Sequence, residues 1–361
     1  MVMSDHLIDT PEGTGVPKGI DAPRVSAWFA ENIPTAKLPL NFTLVAGGRS
    51  NLTFVVTDAA GERFVLRRPP TGHLLPTAHD MAREHKIISA IGPAGVPAPP
   101  ALGLCLDDEV NGAPFYVMGF VDGVIARSEE EAEAYFDEAA RHRAGLALID
   151  TLAQIHSVDP DRVGLGDLGR KEGYISRQLR RWYGNYQAAN QARGGESLAA
   201  IDDLHHRLSQ LIPDQGPASV VHGDYRLDNC ILAADGSSVL AVLDWELCTL
   251  GDPLADVGQL LSYWPEPGER SAVGRSATTL PGFCTRAEMI GRYGEVTGRD
   301  LSHLDFYVAF AYWKLACILE GVYARYVGGA MGDDGFDFSF YPDSIAWLAQ
   351  QSTDAVDRLD R

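Results

Sequence analysis

Two short apolar runs, residues 230–232 and 239–243, flank Asp235-Gly236. The glycine of that dipeptide readily takes the positive φ that a tight strand-to-strand turn demands. Such a segment folds as a hairpin, which sets the residue before its first strand beside the residue after its second. Here those residues are Asn229 and Asp244. Two side-chain oxygens then converge on one point, as a small hard cation such as Mg²⁺ requires. A third apolar run, 218–221, leads as a strand into His222-Gly223-Asp224, and Asp224 can face the same space from the acceptor side. Taken singly, Asp224 and Asn229 read as turn formers and Asp244 as a helix cap. Their joint spacing points to chemistry instead.

Asp224 and Asn229 stand as Asp-x-x-x-x-Asn, and Asp244 closes the following apolar strand. Protein-kinase-type phosphoryl transfer needs this set. One carboxylate faces the acceptor hydroxyl, while an Asn and a second carboxylate hold the magnesium that bridges the nucleotide phosphates. The loop Val221-His222-Gly223-Asp224-Tyr225-Arg226-Leu227-Asp228-Asn229 resembles that of the aminoglycoside phosphotransferase family, which has His-Gly-Asp where protein kinases have His-Arg-Asp. Leu243-Asp244-Trp245-Glu246 and Gly251-Asp252-Pro253-Leu254-Ala255-Asp256 extend the likeness, which runs from about Leu44 to about Tyr326. Gly47-Gly48-Arg49-Ser50-Asn51, Leu66-Arg67-Arg68-Pro69-Pro70 and Arg83-Glu84-His85 are similar, more narrowly, to the subgroup that includes the kinase-like domain fused to some acyl-CoA dehydrogenases.

The resemblance implies an α+β, bilobal protein-kinase-like fold, with a small antiparallel-sheet N-lobe carrying one main helix and a larger, mostly helical C-lobe. The expected partition is a mobile tail at 1–20, the N-lobe at 21–118, a hinge at 119–123 and the C-lobe at 124–361. It also implies an ATP- and Mg-dependent phosphotransferase, a small-molecule kinase with an alcohol group as acceptor. Asp224 would be catalytic, and Asn229 and Asp244 would hold the metal. In this reading Asp252 supports the catalytic loop and Asp256, one helical turn on, does likewise.

Along the small lobe, Asp21-Ala22-Pro23 opens a helix reaching about Asn32, with a capping Asp and an early Pro. Strand-like runs follow at 42–46, 52–57 and 64–67, joined by glycine turns. The turn holding Ser50 and Asn51 offers backbone N–H groups and two side chains to phosphates, or is an ordinary hairpin turn. Kinases next need a cation on the third strand and an acid on the following helix. Arg67 is the candidate cation, with Arg68 pointing to the other face, and Glu84, on a helix expected at 78–91, its candidate partner; the alternatives are an exposed strand arginine and a solvated helix glutamate. Family members mostly carry Lys at the strand position, so Arg67 is a departure; Arg also binds phosphate and carboxylate, bidentately. Residues 114–123 read as the last strand and hinge. Gly119, Phe120 and Val121 would offer an adenine slot backbone donors and acceptors, and Met118 would flank that slot or is simply core.

At 361 residues the chain favours two lobes over one core. Its five cysteines are scattered, with no Cys-x-x-Cys pair, which suits a reducing cytoplasm and argues against a disulfide framework or structural zinc. A formal charge of −19 argues against nucleic acid as a partner, which needs a basic footprint. No apolar leader is visible in residues 1–20. The longest apolar segment, 306–324, is interrupted by Lys314 and Glu320, so a buried helix is expected rather than a membrane span.

The acceptor, a hydroxylated small molecule, is less constrained. The family name suggests an aminoglycoside, and the acidic balance is compatible with a polycation. The subgroup likeness suggests a hydroxyacyl-CoA, which better suits Lys314, Arg325 and the basic stretch at 174–185 with Arg180 and Arg181. Two other readings remain: an aminoglycoside O-phosphotransferase proper, and a nucleotide-binding pseudoenzyme that serves as a scaffold.

Overall fold

The computed structural model describes residues 16–45, 51–71, 80–195, 198–271, 274, 276–329 and 336–359. They fall into two compact units: the first is drawn from Met1–Ile125 and Asp228–Leu247, the second from Ala126–Leu227 and Cys248–Arg361. The fold is α+β and kinase-like, with a small antiparallel sheet and a mostly helical remainder.

The first unit is built on five antiparallel strands in the order β1-β2-β3-β5-β4. These are β1 (Asn41–Leu44), β2 (Leu52–Thr57), β3 (Arg63–Arg68), β4 (Ala101–Cys105) and β5 (Phe115–Gly119). Helix α1 (Ala22–Asn32) starts where the Asp21 side chain accepts from Arg24 N. Its Val25 and Phe29 bury against Phe42, Phe54, Phe64 and Leu66 on one sheet face, and Trp28 meets Phe115 edge to face at 4.9 Å. Each buried aromatic of this kind contributes about 2–3 kcal/mol. Helix α2 (Met81–Ile91) starts at Asp80, whose side chain accepts from Arg83 N, and the short α3 (Asp108–Asn111) lies between β4 and β5. The expected strand 42–46 and helix 78–91 overrun these bounds into residues outside the described ones. β4 carries no clear sequence signal, because it follows Pro97, Pro99 and Pro100 and contains Gly103. It is an edge strand, where such residues are tolerated, and its register on β5 shifts between Ala101 and Gly103.

Asp228–Leu247, which the sequence places in the second lobe, groups with the first unit. The physical reason is hydrogen bonding. The expected hairpin forms from β7 (Cys230–Leu232) and β8 (Val239–Val242), with Cys230 opposite Val242. Val124 and Leu232 exchange two backbone bonds of 2.8 Å, and Val242 N donates to Pro97 O.

The second unit contains α4 (Glu129–Tyr135), α5 (Glu138–Ser157), α6 (Tyr174–Arg193), α7 (Ala199–Gln210), α8 (Leu254–Ser262), α9 (Arg286–Thr297), α10 (Leu304–Val327) and α11 (Tyr341–Leu359). A short ladder of β6 (Ser219–Val221) and β9 (Thr249–Gly251) carries the catalytic-loop candidate. α10 buries Phe306, Tyr307, Phe310 and Trp313, so these aromatics are core. It crosses α8 closely: a Cβ at Gly258 would lie 2.5 Å from the Tyr307 carbonyl. Among the described residues no helix is long and apolar enough to cross a membrane.

Candidate active site

Strand alternation decides which arginine of β3 can act. Phe64 and Leu66 point into the α1 core, so Arg68 shares their face and Arg67 takes the other. Arg67 lies opposite Tyr116, and Val65 opposite Met118, which puts these side chains on the face that α2 covers. Arg68 is a structural residue. Only 5% exposed, it donates to the carbonyls of Pro69, Gly19 and Asn111. Arg68→Ala should therefore destabilise the fold by about 2–4 kcal/mol, measurable as a lower denaturant midpoint.

Arg67 gathers three carboxylates. Its Nε lies 3.2 Å from Glu84 Oε2, and its Nη2 lies 2.5 Å from Asp244 Oδ1 and 3.6 Å from Glu246 Oε2. Asn51 Nδ2 adds bonds of 3.1 Å to Glu84 and 3.2 Å to Glu246, and Tyr116 Oη donates to Glu84 at 3.0 Å. Burial pulls the Arg67 guanidinium down, but the charges of Tyr116, Asp244 and Glu84 raise it overall. It stays cationic. One guanidinium against three carboxylates leaves the cluster with surplus negative charge, a setting that attracts a further cation.

Burial pushes the Glu84 carboxyl up to about 7, against Arg67 and Tyr116, which lower it; Asp244 and Glu246 raise it further. The unfolded chain ionises Glu84 near 4.5, so folding takes up a proton between those values. The stability this group contributes is complete below pH 4.5 and is lost as the pH rises through about 7. The stability of the wild type relative to Glu84→Gln should therefore decline across that window in denaturant titrations. A difference independent of pH would show that Glu84 does not titrate there.

The hairpin brings Asn229 and Asp244 together as expected, through Leu243 N donating to Asn229 O at 2.8 Å. Asp244 is the one described non-glycine residue with a left-handed backbone, φ 64°, a conformation that costs about 1 kcal/mol or more and concentrates at functional sites. Among the described residues no group of three or more His, Cys, Asp or Glu side chains is arranged as a metal cage. A magnesium ion fits this donor set nonetheless, since it is usually held by one or two protein oxygens with substrate phosphates supplying more. Met118 and Gly119 end β5; Gly119 N is bonded to Pro100 O. Arg63 stacks on the Phe120 ring at 3.9 Å, and Val121 packs beside Ile125 and Ile231. Ser50 lies outside the described residues. Every described nucleotide or metal candidate thus belongs to the first unit.

Asp224 belongs to the second unit, in a loop held from several sides. Gly223 takes φ 83°, which a side chain would strain. Asp256, 1% exposed, accepts from His222 N at 2.6 Å and Gly223 N at 2.9 Å. Burial alone would raise the Asp256 carboxyl, but the bond and charge of His156, His222 and the Gly223 N–H hold it below its ordinary value. His156 is buried and its basicity lowered by that burial. It lies 2.7 Å from Tyr293 Oη and 3.3 Å from Asp256, so it supports rather than catalyses. Asp252 instead receives Tyr307 Oη at 2.6 Å, so the direct support of the loop is Asp256.

The sequence reading missed Gln259, whose Nε2 donates to Asp224 Oδ1 at 2.8 Å. It also counted Lys314 among the cations that suit an anionic acceptor. Lys314 is instead buried, 8% exposed, and donates to Gly223 O at 3.0 Å and Gln259 Oε1 at 2.6 Å. Arg226 Nε lies 3.8 Å from Asp224 Oδ2, with its guanidinium over Tyr263. Arg180, Arg181 and Arg325 are exposed on α6 and on the last turn of α10.

A cavity of about 500 Å³ lined by Leu261, Arg270, Arg286, Tyr312, Trp347 and Arg358 lies elsewhere in this unit. Leu261 and Tyr312 each stand two positions from Gln259 and Lys314, about 200° around their helices. Its charges are largely spent on one another: Arg286 pairs with Glu269 at 2.6 Å and Arg358 with Asp305 at 2.8 Å.

Residues 41–285 match the sequence profile of the Phosphotransferase enzyme family, APH. Mouse acyl-CoA dehydrogenase family member 10 is 37% identical over 296 residues, covering 81% of this chain and 27% of the mouse protein; the chain thus spans about a quarter of that relative's length. A Ralstonia eutropha protein provisionally described as an aminoglycoside phosphotransferase is similar in structure, with TM-score 0.76, 30% identity, and coverage of 94% of this chain and 98% of that one. The streptomycin-ATP ternary complex of APH(2")-IIa shares the fold at TM-score 0.56 and 13% identity, over 95% of this chain and 99% of that one.

Proposed function

Since the chain belongs to the phosphotransferase enzyme family and is a small-molecule kinase, we propose that it moves the γ-phosphoryl of ATP, with magnesium, to a hydroxyl of a hydroxyacyl-CoA. In this reaction the acceptor oxygen bonds to the γ-phosphorus. The bond from that phosphorus to the β–γ bridging oxygen breaks, ADP leaves, and the hydroxyl proton passes to the Asp224 carboxylate. Asn229 and Asp244 would hold magnesium, which would offset charge on the phosphates. Arg67, steadied by Glu84, holds phosphate; Asn51 orients Glu84 and Glu246; residues 118–121 bound the adenine slot. The transition state is loose, so positioning and charge neutralisation supply most of the rate.

One observation carries the reading: the Arg67 cluster, in which a β3 cation joins an α2 glutamate to the aspartate that follows the hairpin. Arg67→Lys should keep much of the activity, because a point charge still holds phosphate. Arg67→Ala should raise the KM for ATP roughly tenfold. An unchanged KM would remove Arg67 from phosphate binding.

The acceptor assignment rests on the acyl-CoA dehydrogenase relatives and on the cations beside Asp224, namely Arg226 and the Lys314 ammonium behind Gln259. Such surroundings favour an anionic acceptor over a polycation. A cytoplasmic setting accords with five free, buried cysteines. The test is a magnesium-ATP assay against aminoglycosides, hydroxyacyl-CoAs, amino alcohols and sugars, with Arg181→Glu expected to raise the KM for an anionic acceptor only. Saturable phosphorylation of kanamycin-like compounds, with no turnover of any hydroxyacyl-CoA, would overturn the assignment. Magnesium-dependent ATP binding without turnover of any acceptor would favour the scaffold reading.

A further inference from the structure

We propose that Lys314 and Gln259 form a buried positioning relay that fixes the Asp224 carboxylate in its working orientation. The inference rests on the role given to Asp224 above. It starts from donor and acceptor counts. An ammonium only donates, so Gln259 must turn its Oε1 to Lys314 Nζ, 2.6 Å away. Its amide nitrogen, which also only donates, then faces Asp224 Oδ1 at 2.8 Å. The amide orientation is thereby set by chemistry rather than chosen, and it makes that oxygen an acceptor. A neutral side chain in place of the lysine would leave the amide able to flip.

Lys314 also grips the backbone of the loop. Its second bond, 3.0 Å, goes to Gly223 O, while Gly223 N is held by Asp256. The peptide units on both sides of Gly223 are thus anchored, and with them the backbone leading into Asp224. The lysine is costly to keep where it is: burial lowers its basicity, against the charges of Asp224 and Asp256, which raise it. Its Nζ also stands 5.6 Å from the Trp182 ring. A residue needed only to fill space between α8 and α10 would be apolar. The close crossing permitted by Gly258 sets the two helices near enough for this chain of bonds.

The charged and titratable groups around Asp224 and Lys314 include Arg226, His222, Asp256 and Arg181. None of them is altered in Gln259→Glu, which is nearly isosteric and keeps a partner for Lys314. That variant removes the donor to Asp224 and sets a carboxylate in its place. With magnesium-ATP and a hydroxyacyl-CoA, kcat should fall about a hundredfold, the KM for ATP should hold, and the acidic limb of the kcat profile should move to higher pH. Gln259→Met should lower kcat about tenfold and move the limb less. A merely structural role would change the thermal midpoint and leave the limb in place. The ¹³C carboxyl resonance of Asp224, titrated in labelled protein, makes the same comparison without any acceptor and should move to higher pH in Gln259→Glu. Coincident titration curves, or undiminished kcat in both variants beside an inactive Asp224→Ala, would overturn the relay. An active Asp224→Ala would overturn the role of Asp224 itself.

Discussion

Asp224→Ala is expected to lower kcat by about a hundred- to ten-thousand-fold, the range for a lost acid–base group, with nucleotide affinity nearly unchanged. The affinity should survive because the residues assigned to phosphate and adenine, from Arg67 to Val121, belong to the first unit, whereas Asp224 belongs to the second. The fold should survive because Gly223 keeps both its anchors, Asp256 and Lys314. Asp224→Asn sharpens the comparison. Its amide oxygen can still accept from Gln259, so geometry is kept and only the ability to take a proton is lost. Both variants are measured by turnover and by calorimetric titration of magnesium-ATP. Near-normal turnover in either would take Asp224 out of the mechanism.

Asp244→Ala should abolish productive magnesium binding, whereas Asn229→Ala should only weaken it, and only the Asn229 loss should be rescued by excess magnesium. The asymmetry follows from charge. As metal ligands, Asp244 would supply a full negative charge to a hard cation and Asn229 only a carbonyl dipole. Asp244 is also the residue that Arg67 reaches most closely, at 2.5 Å, so its loss would loosen Arg67 as well. Its side chain is 32% exposed, so the variant should remain folded by circular dichroism. Tight, magnesium-dependent ATP binding by Asp244→Ala would show that the metal lies elsewhere.

What the sequence made legible was local. The Asp235-Gly236 turn, the cap at Asp21, and the alternation that separates Arg67 from Arg68 each depend on neighbours a few positions away. The kinase-like family and its acyl-CoA dehydrogenase subgroup were legible from short motifs as well. The connections that tie those pieces together were not. Arg67 meets Asp244 across 177 positions, and Lys314 meets Gly223 across 91. Nothing in a helix of aromatic core residues distinguishes a lysine that turns inward from one that reaches solvent. Gln259 was silent for a similar reason, since a glutamine on an apolar helix carries no charge pattern to single it out. β4 and the return of Asp228–Leu247 to the first unit depend on pairing partners that only the folded chain supplies.

Asp244 stands in a backbone conformation that suits glycine or asparagine better than aspartate. Heat tolerance and chemistry therefore pull this position in opposite directions. A library randomised at 244 and sorted only for survival at high temperature should enrich Gly and Asn, gaining on the order of 1 kcal/mol, and would discard the carboxylate as it did so. Directed evolution of this chain toward robustness alone would remove the carboxylate proposed to hold magnesium, at the very residue where the selection reported success.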